Sequence, residues 1–112
     1  MRAALALVAV LAAAPAAAHD LRVFAFVEGD TVNVEAKFST GRLPVSGEIR
    51  VLDASETLIE THAIDPDGVT SFPLIEGARD TGLMIEVEVG TGGHSDYWLL
   101  TPEDIARGQD GS

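Results

Sequence analysis

The sequence predicts an all-β protein, a single antiparallel β-sandwich of about seven short strands that follows a cleaved signal peptide. Hydrophobic and polar residues alternate along most of the chain after residue 20, which is typical of half-buried strands. Turns rich in glycine, proline and aspartate separate these segments at regular intervals. No stretch after residue 19 keeps its hydrophobic residues at helical spacing, so the sandwich is the favoured architecture.

The first 18 residues have the pattern of a secretory signal peptide. Arg2 supplies an early positive charge, an apolar run follows, and the segment ends in small residues. The run is too short and alanine-rich to favour a membrane-spanning helix. We expect residues 1–18 to be removed on export to the periplasm, and residues 19–100 to form the sandwich domain.

The first two strands are expected to form a hairpin. Leu21–Glu28 and Thr31–Ser39 both alternate, and Glu28-Gly29-Asp30 between them is typical of a tight turn. Asp65-Pro66-Asp67-Gly68 is a second strong turn signal, explained by side-chain-to-backbone hydrogen bonds without a metal ion. The later strands are expected at Glu48–Asp53, Thr57–Ile64, Val69–Leu74, Leu83–Val89 and His94–Leu100.

Residues 101–112 are polar and glycine-rich. Thr101-Pro102-Glu103-Asp104 could start one helical turn, but a flexible polar tail is the favoured interpretation.

Composition excludes several classes of function. The chain has no cysteine, which excludes a disulfide framework, a thiolate metal site and a lipid-anchored lipoprotein. Lysine and arginine number 7 against 18 aspartates and glutamates, so nucleic acid and anionic membranes are poor partners. Cations or a basic protein surface are better ones, although acidity also keeps an exported protein in solution. No catalytic motif is present, and we expect that the protein is not an enzyme.

His19 is the first candidate metal ligand. Cleavage after Ala18 would leave it at a free N-terminus, where the α-amine and the imidazole Nδ1 can chelate one ion. Cleavage after Ala16 would leave Ala17-Ala18-His19, whose amine, two peptide nitrogens and imidazole form a square-planar site for Ni²⁺ or Cu²⁺. Both cleavage sites make His19 a metal ligand, and the sequence does not choose between them.

The other two histidines differ in their surroundings. His94 follows a glycine run and is the second candidate ligand, because a histidine at the mouth of a flexible loop can reach a terminus or a partner. His62 lies in the middle of a predicted strand with no ligand spacing, and a surface or half-buried strand residue is the favoured interpretation.

Three segments together resemble a known family. They are residues 19–29 (HDLRVFAFVEG) directly after the signal peptide, residues 65–74 (DPDGVTSFPL) and residues 92–95 (GGHS). The chain is similar to the small extracytoplasmic accessory subunit, of NikL or CbiL type, of nickel and cobalt energy-coupling-factor ABC transporters. The turn motif in residues 65–74 is shared with many transthyretin-like and carboxypeptidase-regulatory-like sandwiches.

This resemblance implies an immunoglobulin-like or transthyretin-like sandwich that assists uptake of nickel or cobalt. It implies His19 and His94 as the metal ligands, and the membrane subunit of a metal transporter as the partner. Such subunits often carry a C-terminal transmembrane helix, whereas we expect no membrane anchor in this mature chain. Amine and imidazole nitrogens would also accept copper or zinc.

Two other hypotheses compete with a metal-binding or metal-delivery role. Small sandwiches commonly bind proteins through loops or edge strands, so a periplasmic interaction module without metal function is the main alternative. A copper-dependent oxidase would need His19, His94 and Tyr97 close together.

Overall fold

Seven strands and two short helices follow one another in the computed structural model, which describes residues 20–90 and 94–109. The first strands are β1 (Leu21–Glu28), β2 (Thr31–Phe38), β3 (Gly47–Leu52) and β4 (Leu58–Ala63). They are followed by β5 (Val69–Pro73), α1 (Ala78–Thr81), β6 (Leu83–Val89), β7 (His94–Leu100) and α2 (Pro102–Gln109). The predicted signal peptide, His19 and the end of the predicted glycine turn at 91–93 lie outside the described residues.

The strands form two antiparallel sheets, which confirms the predicted all-β sandwich. One sheet has three strands in the order β1-β2-β5, and the other has four in the order β4-β3-β6-β7. β1 lies along β7 at one lateral edge of the sandwich. No helix within the described residues is long and apolar enough to cross a membrane.

Alternation along each strand supplies the core between the sheets. Every second residue of β1 is buried, and the same holds for the first part of β2 and for β6. Phe38 at the end of β2 is only half-buried and packs against this core. The largest fully buried side chains are Ile49, Ile85, Leu100, Ile105, Val32, Val34, Val51 and Val87.

The strand boundaries agree with the sequence to within one or two residues. The β1–β2 turn contains two residues, and Gly29 has a φ of 59°, in the left-handed region that favours glycine. β3 and β4 are joined through residues 53–57, and the register shifts by one residue next to Leu52. This β-bulge places Leu58 opposite Leu52, a detail that alternation alone does not predict.

The predicted flexible tail is wrong for residues 102–109, which form helix α2. Thr101 caps the helix: its Oγ1 accepts a hydrogen bond from the Asp104 amide at 3.1 Å. The Asp104 carboxylate accepts one from the Thr101 amide at 3.2 Å, and Pro102 occupies the first helical position. Ile105 is completely buried, and its burial holds the helix against the sandwich.

The end of α2 is also tied to the β1–β2 turn. The Gly29 amide donates to the Gly108 carbonyl at 3.1 Å, and the Gln109 side-chain amide donates to the Gly29 carbonyl at 2.6 Å. Helix α1 was likewise not predicted, and Ala78 within it is buried. Both helices are too short to give a helical period, so tertiary contacts decide their structure.

Candidate metal-binding site

His94 is the first residue of β7, at an edge of the four-stranded sheet. It pairs with Val89 of β6 and is half-buried. Its imidazole meets the ring of Phe38 nearly edge-on, with 5.3 Å between the ring centroids. Because Phe38 belongs to the other sheet, this contact brings His94 to the seam between the two sheets.

Contacts across the seam set the relative position of β1 and β7. The Val23 amide donates a hydrogen bond to Oδ2 of Asp96 at 3.1 Å. The rings of Phe24 and Trp98 meet edge-on, with 5.0 Å between their centroids. Later residues of β1 therefore face later residues of β7, and the two strands begin at the same end of the seam.

The start of β1 is fixed next to His94. Leu21, the first residue of β1, pairs with Phe38, whose ring contacts His94. The Asp20 carbonyl accepts a hydrogen bond from the Ser39 amide at 2.7 Å, which anchors the residue before β1. His19 is bonded directly to Asp20 and lies outside the described residues.

His62 lies at the opposite edge of the sandwich, on β4. Its ring stacks on Phe72 of β5 with 4.4 Å between centroids, and its Nε2 lies 3.1 Å from a carboxylate oxygen of Glu60. It is half-buried, as predicted. The structure thus separates His62 from His94, because β4 and β7 are the two outer strands of the four-stranded sheet.

Tyr97 and His94 lie on opposite faces of β7. Tyr97 pairs with Glu86 on the outward face and is 56% exposed, whereas His94 contacts Phe38 across the seam. The copper-oxidase hypothesis needs His19, His94 and Tyr97 close together. The two described members of this trio, His94 and Tyr97, instead face opposite sides of β7.

The carboxylates of the turn before β5 and of the outward face of β6 have the structural roles expected from the sequence. Oδ1 of Asp65 accepts a hydrogen bond from the Asp67 amide at 2.9 Å, which is the expected turn stabilisation. Glu86 lies on the outward face of β6, 3.6 Å from the Arg50 Nε. Within residues 20–90 and 94–109, no group of three or more histidine, aspartate and glutamate side chains is placed to hold a metal ion.

Two features of the site were not predicted from the sequence. They are the positions of Phe38 and Asp96, which were not singled out from the sequence. Both are placed by the contact between β1 and β7, two strands 73 residues apart at the Val23–Asp96 hydrogen bond. Comparisons with protein-family models, with curated proteins and with solved structures found no match for this chain.

Proposed function

We propose that the exported protein binds a nickel or cobalt ion through His19 and His94 and delivers it to the membrane subunit of a metal importer. The observation that supports this most directly is the position of His94 beside the start of β1. His19 directly precedes Asp20, whose carbonyl is anchored next to β1, and on this proposal the processed N-terminus would supply the other ligands.

The donor set would suit such an ion. A chain that begins at His19 offers an α-amine and an imidazole, and His94 would add a second imidazole from the seam. Nitrogen donors of this kind bind Ni²⁺, Co²⁺, Cu²⁺ and Zn²⁺, with copper favoured by intrinsic affinity. The choice of nickel or cobalt as cargo therefore rests on the resemblance of residues 19–29, 65–74 and 92–95 to the accessory subunits of nickel and cobalt importers.

The net charge of −11 also supports a cationic cargo. An acidic surface raises the local concentration of cations and increases their rate of encounter. The effect is not specific for a metal, so it contributes to capture and not to selection. Selection would come from the nitrogen ligands.

Calorimetric titration with NiCl₂ tests the proposal in a chain that begins at His19, a start verified by intact mass. We expect one ion per chain. His19→Ala and His94→Ala should each weaken affinity roughly tenfold or more, because each removes a ligand. His62→Ala is the matched control, since it removes a histidine at the opposite edge, and it should leave affinity unchanged. Equal affinity in all four proteins would refute the proposal.

The alternative cleavage register gives a different result. In a chain that begins at Ala17, the first three residues supply four nitrogen ligands by themselves. His94→Ala would then leave nickel affinity unchanged and His19→Ala would abolish it. That pattern would refute the role proposed for His94.

A further inference from the structure

The outward face of the four-stranded sheet carries a row of large hydrophobic side chains. Leu58 of β4 pairs with Leu52 of β3, which pairs with Met84 of β6, which pairs with Leu99 of β7. We call these four residues the apolar stripe. It crosses all four strands at the end of β7 farthest from His94.

The two ends of the apolar stripe are open to solvent. Leu58 is 48% exposed and Leu99 is 55% exposed, and Tyr97 beside the stripe is 56% exposed. A shallow groove of about 450 Å³ runs along Met84, Leu99 and Pro102. Single exposed hydrophobic residues are normal, but a continuous row with a groove is typical of an interaction surface.

The border of the apolar stripe is acidic. Asp53 and Glu56 line the groove at the turn between β3 and β4. On the other side of the apolar stripe, Glu86 occupies the next outward position of β6, opposite Arg50 of β3. The Arg50 Nε lies 3.6 Å from a carboxylate oxygen of Glu86, so the excess negative charge of the border comes from Asp53 and Glu56.

We propose that the apolar stripe is a docking site for a protein segment with large apolar side chains flanked by lysine or arginine. The apolar side chains would cover the stripe, and the basic groups would face the carboxylates that border it. A second copy of this chain fits poorly, because it would place the same acidic border against itself. An anionic lipid surface would be repelled for the same reason.

The docking site and the proposed metal site are spatially separate. His94 and Leu99 are five residues apart on one strand, a distance of roughly 17 Å. The inference therefore does not depend on metal binding, and each proposal can fail without the other.

Amide chemical-shift mapping with three six-residue peptides tests the docking site. The probe has lysine at both ends and four leucines between them, because six extended residues span the width of four strands and place the terminal lysines at the border of the apolar stripe. One control peptide has serine in place of leucine, and the other has glutamate in place of lysine. We expect only the lysine–leucine peptide to bind and to shift the amides of the apolar stripe.

Variants separate the apolar from the ionic contribution. Leu99→Asp should weaken peptide affinity roughly tenfold or more, since it removes an apolar contact and would bury a carboxylate against the leucine side chains. Glu56→Gln keeps the stripe and should weaken affinity by roughly two- to fivefold. Val45→Asp, at a residue that is 79% exposed in the β2–β3 connection, is the matched control and should have no effect.

Circular dichroism confirms that each variant is folded before titration. Equal binding of the glutamate–leucine peptide, shifts spread outside the stripe, or no binding of any peptide would overturn the proposal. Self-association that Leu99→Asp abolishes would also overturn it, because a second copy would then be the occupant.

Discussion

The packing of helix α2 makes a sharp prediction for the variant Ile105→Ala. Ile105 is completely buried between α2 and the sandwich, so the substitution removes three carbon atoms from a closed part of the core. The lost transfer free energy is about 2.4 kcal/mol at about 0.8 kcal/mol for each buried methylene. The cavity left behind raises the cost toward about 5 kcal/mol, the upper range for large-to-small core substitutions.

A small opposing effect comes from the helix itself. Alanine has a higher helix propensity than isoleucine, and this offsets a few tenths of a kcal/mol of the lost unfolding free energy. The expected net loss is therefore about 2–4.5 kcal/mol of unfolding free energy. That is a large part of the roughly 5–15 kcal/mol by which a small domain is stable.

Urea unfolding followed by far-ultraviolet circular dichroism measures this loss. With a urea dependence of about 1–3 kcal/mol per molar, the midpoint should fall by about 1 M or more. Glu103→Ala, at an exposed position of the same helix, is the control and should change the unfolding free energy by less than about 0.5 kcal/mol. Equal midpoints for the two variants would show that α2 does not dock, and would restore the flexible tail predicted from the sequence.

Three further predictions concern the packing of α2, the seam between β1 and β7, and the proposed metal site. Gly108→Ala should lower the urea midpoint, because a Cβ at this position would overlap the backbone oxygen of Val27. An unchanged midpoint would contradict the packing of α2 on β1. Asp96→Ala should lower the free energy of unfolding in urea by about 1–3 kcal/mol, since it removes the acceptor of the Val23 amide. Asp96→Asn should recover most of this loss, because the asparagine Oδ1 can still accept the hydrogen bond. Nickel affinity measured by calorimetry should fall as pH is lowered from neutrality, because protons compete for the amine and imidazole nitrogens, and a pH-independent affinity would exclude these ligands.

Local patterns predict most of the fold. The strands of this chain are half-buried, so alternation identifies them directly, as in Val32 and Val34 of β2 or Ile85 and Val87 of β6. The β1–β2 hairpin follows from the glycine in its turn. Helix α2 was not predicted because Ile105 is its one buried hydrophobic side chain, and a single residue cannot define a helical hydrophobic period.

The candidate site was predictable only in part. The predicted signal peptide before His19 and the glycine run before His94 make these two histidines candidate ligands, and both assignments stay predictions. The contact of His94 with Phe38 depends on which strands meet at the open edges of the two sheets. The apolar stripe depends on the bulge that places Leu58 opposite Leu52. These are long-range arrangements that sequence spacing does not contain.

The most direct test of the proposed function is to block the α-amine of His19. Nickel is titrated into two forms of the chain that begin at His19, one with a free α-amine and one with an N-terminal acetyl group. The imidazoles of His19 and His94 are identical in both forms, and equal thermal unfolding verifies that the fold is unchanged. We predict one ion per chain for the free form and an affinity roughly tenfold or more weaker for the acetylated form. The same affinity in both forms would contradict a metal site built on the processed N-terminus.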